Sequence, residues 1–227
     1  MTPIRHLRCP LLLAAVISAL ALGVATLSQA AQTEARAQRA QSKDEGTPSD
    51  KEAEEMISAV VRVKMKAIAG ARSNASLGST REGAGVVIDD KGHIVTIGYI
   101  VIEAESIEVT TQDGRTLPAT LAGYDHATGF GLLRSTVPLK VKPMPLGDPG
   151  QLGVRDPVMI VPAGGREAAT FAYVVSRRGF AGSWGYMLDS AIFTSPPTLQ
   201  WAGAALVDRD GKLVGVGSLL VRDTVEP

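Results

Sequence analysis

The sequence predicts an all-β protein whose strands form a closed antiparallel barrel or a sandwich. Val, Ile and Thr cluster in short runs, whereas aromatic residues make up only 4% of the chain. Turn signals, among them Asp113-Gly114 and Asp210-Gly211, separate these runs. Short strands that are punctuated in this way are typical of antiparallel barrels and sandwiches, and not of helical bundles.

The amino terminus predicts export. Arg5 and Arg8 precede an apolar run over residues 10–27, and Ser28 and Ala30 are small residues at the two positions that determine cleavage. We therefore expect residues 1–30 to be a signal peptide. The alternative is an uncleaved anchor, because the run is close to the ~20 residues that span a bilayer. In either case the expected location is periplasmic or secreted, and any membrane contact is through this segment.

Composition excludes several classes of function. The chain has 23 basic and 23 acidic residues, so its charge gives no case for nucleic acid as a partner. Cys9, the only cysteine, lies in the signal region, which excludes thiol catalysis, disulfides and thiolate metal sites in the exported part. With His6 removed, only His93 and His126 remain, so we expect no metal and no cofactor.

The first half is predicted to be one barrel, over residues 49–136, after a polar tether at 31–48 that lacks large apolar residues. Ser49 and Glu52 form a capping-box pattern that starts a helix over residues 50–57. A Gly/Ser/Asn-rich surface loop is expected at 69–82. The strands predicted in this half are residues 59–68, 85–89, 93–101, 106–111, 115–124 and 130–134.

Residues 137–150 contain four prolines and are predicted to link two β-rich halves. The second half, residues 151–227, continues the alternation of short apolar runs and turns. Its predicted strands are residues 157–161, 169–176, 191–194, 203–208 and 212–219.

Four segments, in this order, resemble the HtrA-type, trypsin-like serine proteases. They are E82-GAGVVIDDKGHIV-T96, I107-EVTTQDG-R115, D125-HATGFGLL-R134 and the hairpin L206-VDRDGKLVGV-G217. The resemblance covers about residues 54–220. It implies two six-stranded antiparallel barrels of the trypsin/chymotrypsin fold. The chain printed here stops soon after the last hairpin, so the second barrel is expected to be incomplete or the sequence to be a fragment.

The resemblance also indicates where the catalytic triad of the family would stand. The family histidine falls on Tyr99, its aspartate on Gly129 and its nucleophilic serine on Ala202. Triad chemistry needs a nucleophile, a base and a carboxylate that orients the base. A phenol with an ordinary pKa of ~10 is a poor base at neutral pH, and glycine and alanine supply no reacting group. We therefore expect a pseudoprotease.

Two further interpretations concern the same region. Gln200 and Trp201 replace the family's Gly-Asn pair, so Trp201 is expected to fill space that a substrate carbonyl would occupy. Ser195 and His126 are a conceivable substitute dyad; the alternative is that Ser195 caps a Pro-Pro turn and His126 lies in an exposed loop.

Residues 176–186 bring arginines and aromatics together in a predicted glycine-rich loop. Arg, Trp and Tyr are enriched at binding hot spots. Its candidate binding residues are Arg177, Arg178, Trp184 and Tyr186, to which Trp201 is added. The alternative is a solvated strand end whose aromatics pack on the barrel.

The function expected from these observations is binding of a peptide or protein partner in the periplasm by a triad-less protease homologue. Two alternatives stay open. One is a serine endopeptidase that uses the displaced Ser195 and His126, and the other is a structural periplasmic subunit.

Overall fold

The computed structural model describes residues 50–182 and 186–221. The predicted signal peptide, the tether, the Ser49 cap, Trp184 and residues 222–227 lie outside the described residues. Within the described residues, no helix has the length and apolar character needed to cross a membrane.

Six strands close into the first barrel, in the order β1-β2-β3-β6-β5-β4. Their bounds are β1 Val60–Ala67, β2 Thr80–Val87, β3 His93–Ile97, β4 Ala104–Thr110, β5 Thr116–Tyr124 and β6 Phe130–Ser135. All the pairings are antiparallel, and the β1–β4 pairing, which runs from Arg62–Thr110 to Ala67–Ala104, closes the ring.

Alternating side chains explain why these segments are strands. In β1, Val63 and Met65 are buried, whereas Arg62, Lys64 and Lys66 are exposed, which is the period of two expected for a strand with one face on a core. The inward residues of β1 pack against others from β3, β4 and β6, such as Ile94, Val109 and Leu133.

In the part of the chain that the structure describes, three short helices accompany the barrel. They are α1 Asp50–Ser58, α2 Asn74–Leu77 and α3 Gly98–Val101. Helix α1 buries Ile57 in a second apolar cluster, which also contains Val60, Val86, Val161 and Val207. This cluster joins strands of the first barrel to strands of the second sheet.

The second sheet has five strands in the order β11-β10-β7-β8-β9 and curls into a half-barrel. Its strands are β7 Pro157–Val161, β8 Thr170–Ala181, β9 Met187–Ser195, β10 Ala205–Val207 and β11 Leu213–Val216. The prediction of an all-β fold of the trypsin-like, double-barrel type is therefore confirmed for the described residues.

The connection between the two sheets packs onto the protein. Leu139 and Met144 are buried, and Leu146 forms a parallel bridge with Leu213 at the start of β11. Two 3-10 turns, Pro149–Gln151 and Gly165–Ala168, flank β7.

Three local predictions were wrong. Residues 98–101 were predicted as the end of a strand but form α3. The Gly98 N–H donates to the Gly129 carbonyl, and the Ile102 N–H donates to the Gly98 carbonyl, which closes a helical turn. The predicted loop at 69–82 contains α2 and the start of β2. The final strand ends at Val216 and not at residue 219.

The predicted glycine-rich loop at 176–186 is also largely wrong. Residues up to Ala181 belong to β8, which pairs with β9 as far as Ala181–Met187. A register shift between Arg178 and Phe180 absorbs Gly179, so the glycine produces a bulge instead of ending the strand.

Candidate functional site

Tyr99 lies in α3, at the mouth between the two sheets. Its hydroxyl donates to the Ser218 carbonyl oxygen at 2.8 Å. Burial raises the pKa of the Tyr99 phenol above its ordinary value, and the neighbouring Tyr186 raises it further, whereas a hydrogen bond from the Trp201 indole acts in the opposite direction. At neutral pH Tyr99 is therefore a neutral hydroxyl and not a base.

Gly129 lies in the turn before β6 with a φ of +76°. Residues other than glycine rarely adopt this backbone conformation. A Cβ at this position would lie 3.0 Å from Cγ and from Cδ1 of Tyr186. The Tyr186 ring thus occupies the space into which a side chain at residue 129 would extend. An aspartate here would have a strained backbone conformation and would need the Tyr186 ring to move by a few tenths of an ångström.

Ala202 lies in a tight loop that touches both sheets. Its carbonyl accepts the Ala84 N–H of β2 at 2.8 Å, and the next residue, Gly203, donates to Gly217 after β11 at 2.8 Å. Gly203 has a φ of +76°, and a Cβ on it would overlap the Ala84 carbonyl oxygen. The backbone of the loop is therefore constrained by close contacts that only glycine allows.

The side chains around these three positions form one hydrogen-bonded group. Ser218 accepts the Tyr99 hydroxyl at its carbonyl, and its own Oγ lies 2.6 Å from the Tyr186 hydroxyl. We call Tyr99, Tyr186, Trp201 and Ser218 the tyrosine cluster. Tyr99 belongs to the first barrel and the other three to the second half, so the cluster connects the two.

One backbone donor before Ala202 has a partner within its own loop. In trypsin-like sites the N–H groups of the nucleophile and of the residue two positions before it stabilise the oxyanion. At the second of these positions, the Gln200 N–H donates to Thr198 Oγ1 at 3.3 Å. This donor is therefore engaged by a side chain of its own loop.

Two cavities meet at this loop. One, of about 510 Å³, is the interbarrel cleft, whose lining includes Arg62, Glu82, Tyr99, Leu199, Gln200 and Ala202. The other, of about 450 Å³, lies inside the half-barrel. Trp201 and Leu219 line both cavities and therefore form the wall between them.

The two predicted binding arginines have partners within the protein. Arg177 in β8 donates from Nη1 to the Leu152 carbonyl at 2.8 Å, and the guanidinium of Arg178 lies 4.4 Å from the centre of the Phe193 ring. Of the predicted binding residues, Trp201 lines the cleft and Tyr186 is buried in the tyrosine cluster. Trp184 is outside the described residues.

Comparison with known proteins agrees with the overall fold. The family model for the trypsin-like peptidase domain matches residues 83–216. The chain belongs to the HtrA-type, trypsin-like protease family. Among curated relatives, it is 30% identical to the periplasmic serine endoprotease DegP of Escherichia coli K12 over 143 residues, which is 61% of this chain and 30% of DegP. It is 29% identical to the serine endoprotease DegS of Salmonella typhimurium over 152 residues, 60% of this chain and 39% of DegS.

Solved structures of HtrA-type proteases share the fold. The HtrA-type protease AlgW with a decapeptide superposes with a TM-score of 0.59 at 20% identity, covering 76% of this chain and 60% of AlgW. AlgW with a tripeptide gives a TM-score of 0.55 at 23% identity, covering 74% and 54%. The chain spans about a third of the length of the curated relatives described above.

The substitute dyad of the HtrA-type hypothesis is not brought together. His126 is exposed, and its ring centre lies 4.6 Å from that of Tyr124. The next residue, Ala127, accepts the Met187 N–H at the start of β9. Ser195 is at the other end of this strand, eight residues further on, which at about 3.3 Å per residue is roughly 25 Å away.

Ser218 is the residue of this site that the sequence interpretation did not include. It takes part through its carbonyl and through a hydroxyl that faces Tyr186, and neither role has a residue-type signature. Among the described residues, no three potential metal ligands of the His, Cys, Asp and Glu types come together.

Proposed function

We propose that this chain is an exported, triad-less HtrA-type homologue that binds a peptide or protein partner in the periplasm. The observation that carries the proposal is the tyrosine cluster. A neutral, hydrogen-bonded Tyr99 stands at the position of the base, Tyr186 covers Gly129, and the nucleophile position is Ala202. These groups contribute packing and hydrogen bonds but no acyl-transfer chemistry.

The presence of an interbarrel cleft supports a binding role. It encloses about 510 Å³ beside Ala202, and Leu199 on its rim is 82% exposed. An exposed apolar side chain at the edge of a concave site suits contact with a partner. The AlgW structures with peptides and the periplasmic location of DegP support the same class of partner and the same compartment.

A fluorophosphonate probe tests the absence of a serine nucleophile. We expect no labelling of the purified protein under conditions in which Escherichia coli DegP is labelled. Labelling that disappears in Ser195→Ala would overturn the pseudoprotease proposal and favour the displaced-residue endopeptidase.

Selection from a displayed peptide library tests binding at the cleft. For selected peptides we expect Leu199→Ala to weaken binding about tenfold. Phe171→Ala is the matched control, because Phe171 is similarly exposed, at 79%, but lines neither cavity. Failure to select any peptide would favour the structural subunit, and equal losses in both variants would argue against the cleft.

A further inference from the structure

The first barrel contains a buried charge that lies outside the candidate site. Arg81 in β2 is 6% exposed, and among the described residues it is the only charged residue that is buried. A guanidinium loses its bound water on burial, so arginine is rarely buried unless partners inside the protein replace that water. The positions of these partners therefore indicate what the Arg81 side chain does.

The five N–H groups of the Arg81 guanidinium have five acceptors within the first barrel. Nη1 donates to two main-chain carbonyls of the α3 segment, that of Tyr99 at 3.2 Å and that of Ile102 at 2.9 Å. Nε and Nη2 donate to the Gly78 carbonyl, Ser73 Oγ and Asn74 Oδ1, at 3.0, 2.6 and 3.4 Å. Arg81 thus joins β2 to α3 and to the segment that contains α2.

Helix α3 receives its carboxyl-terminal cap from Arg81. The helix has four residues, and the Ile102 N–H closes its turn onto the Gly98 carbonyl at 3.0 Å. The last carbonyls of a helix have no acceptor role within the helix itself. Because the guanidinium binds the carbonyls of Tyr99 and Ile102, it supplies these groups with the partner that a longer helix would provide.

Tyr99 is held at both of its ends. Its carbonyl accepts a hydrogen bond from Arg81, and its hydroxyl donates to the Ser218 carbonyl at 2.8 Å. Tyr99 itself lines the interbarrel cleft. Helix α3 also packs closely on β2, since a Cβ on Gly83 would lie 2.3 Å from Cδ1 of Ile100. The place of Tyr99 in the cleft therefore depends on how α3 is fixed to β2.

We propose that Arg81 is a positioning residue for partner binding, which fixes α3 so that Tyr99 presents its ring to a peptide in the cleft. The inference rests on the proposed peptide-binding function and adds a residue that does not itself line the cleft. The planar fork of a guanidinium reaches both α3 carbonyls and Ser73 at once. A lysine has three donors on a single atom and cannot reproduce this geometry.

Glu103 completes the arrangement around Arg81. Its carboxylate accepts the Ser73 N–H at 2.9 Å and also the Ser73 hydroxyl. The same Ser73 oxygen accepts the Arg81 guanidinium. A negative charge thus lies one side chain away from the buried positive charge, which favours the charged guanidinium in this place.

The first test needs no ligand. Fluorotyrosine in place of the four tyrosines of the chain gives four fluorine NMR signals, which phenylalanine substitutions assign. We expect Arg81→Lys to move the Tyr99 signal by more than its linewidth and to leave the signal of exposed Tyr173 in place. Arg177→Lys is the matched control, because Arg177 also donates to a main-chain carbonyl, that of Leu152, but has no bond to α3. An unchanged Tyr99 signal in Arg81→Lys would overturn the positioning role.

Ser73→Ala is a milder variant that decides the question when Arg81→Lys does not fold. It removes one acceptor of the guanidinium and leaves Arg81 itself in place, so we expect a smaller shift of the Tyr99 signal. Urea denaturation verifies that each variant is folded. An unmoved Tyr99 signal in folded Ser73→Ala, with Arg81→Lys unfolded, would contradict the proposal.

The second test measures the affinity of the full chain for peptides selected from the displayed library. We expect Arg81→Lys to weaken binding about tenfold and Arg177→Lys to weaken it less than twofold. In a Tyr99→Ala background there is no ring to position, so Arg81→Lys should weaken binding less than twofold further. Additive losses would show that Arg81 acts independently of Tyr99 and would overturn the inference.

The outcomes separate this inference from the proposed function. A shifted Tyr99 signal with unchanged affinity for selected peptides would overturn the role of Arg81 in binding and leave peptide binding at the cleft intact. If the library yields no peptide, the proposed function fails together with this role in binding. The fluorine signal of Tyr99 still decides in that case whether Arg81 positions the ring.

Discussion

The two halves of this protein have strands in the same order, but within the described residues only the first half closes into a barrel. The first barrel closes, so each strand has two neighbours and its core side chains, such as Ile94 and Leu133, are fully buried. The second sheet stays open within the described residues and keeps an apolar cavity and two free edges. The comparison teaches that closure leaves no strand of the first barrel with an unpaired edge, whereas the five described strands of the second sheet leave β9 and β11 each with one neighbour.

The largest effect is expected from Leu133→Ala in the closed barrel. Leu133 is fully buried, so truncation removes apolar contacts and leaves a cavity, at a cost of about 2–5 kcal/mol. Leu188→Ala, at a half-buried position on the open half, is the matched variant, and we expect a loss below about 1.5 kcal/mol. Urea denaturation measures both, and equal losses would break the comparison between the halves.

Gly129→Asp, which places an aspartate at the position proposed for the triad carboxylate, is expected to have the next largest effect on stability. The φ of +76° and the Tyr186 ring at 3.0 Å both oppose a side chain, and we expect a loss of about 2–4 kcal/mol.

Gly114→Asp is the control, since Gly114 has a φ of +84° but nothing within 4 Å of its added Cβ. It isolates the backbone cost, about 1 kcal/mol. For the same reason, we expect the triple variant Tyr99→His, Gly129→Asp, Ala202→Ser to gain no hydrolysis of a casein substrate. Measurable cleavage would show that the site tolerates restoration.

A smaller effect is expected from Tyr186→Phe. The ring stays against Gly129 while the hydrogen bond to Ser218 is lost, which should lower the free energy of unfolding by about 1 kcal/mol. Ser218→Ala removes the same bond from the other side, so the double variant should be little worse than either single one. Additive losses would show that the two hydroxyls do not depend on each other.

The smallest effect is expected from the ionisation of Tyr99, which changes the stability of the protein only at alkaline pH. Burial raises the pKa of Tyr99 in the folded state above the value of about 10 expected in the unfolded chain. The folded state keeps the phenol neutral where the unfolded state releases its proton. This contribution to stability is complete below about pH 10 and is lost as the pH rises from there through the higher pKa of the folded state.

Urea unfolding between pH 8 and pH 11 measures this dependence. We expect Tyr99→Phe to lose stability less steeply with pH than the wild type, whereas Tyr173→Phe, at an exposed position, should follow the wild-type slope. A Tyr99→Phe slope equal to that of the wild type would contradict the burial of the phenol.

Local sequence patterns predicted much of the fold. The strand Pro157–Val161 was predicted to the residue, and β5 and β6 to within one residue at each end, because alternating or continuous apolar runs there end at clear turn signals. The helical turn Gly98–Val101 was missed because Ile and Val favour strands, whereas its conformation depends on a bond between Gly98 and Gly129, far apart in the chain.

For the candidate site, the sequence indicated which positions to compare with the family triad, but it did not predict the contacts that these residues make. The motif order places the family triad positions on Tyr99, Gly129 and Ala202, and this assignment stays a prediction. Ser218 is 119 residues from Tyr99 in the sequence, and no local pattern predicts that pairing. The binding role given to Arg177 came from residue type alone. In the structure its Nη1 donates to the Leu152 carbonyl beside β7.

The wall shared by the two cavities has a thermodynamic consequence. Trp201 and Leu219 face the interbarrel cleft on one side and the half-barrel cavity on the other. A ligand that displaces this wall changes the volume open to a ligand on the other side. By linkage, the factor by which an occupant of the cleft alters affinity in the half-barrel equals the factor in the reverse direction. Any such coupling between the two cavities would therefore pass through Trp201 and Leu219.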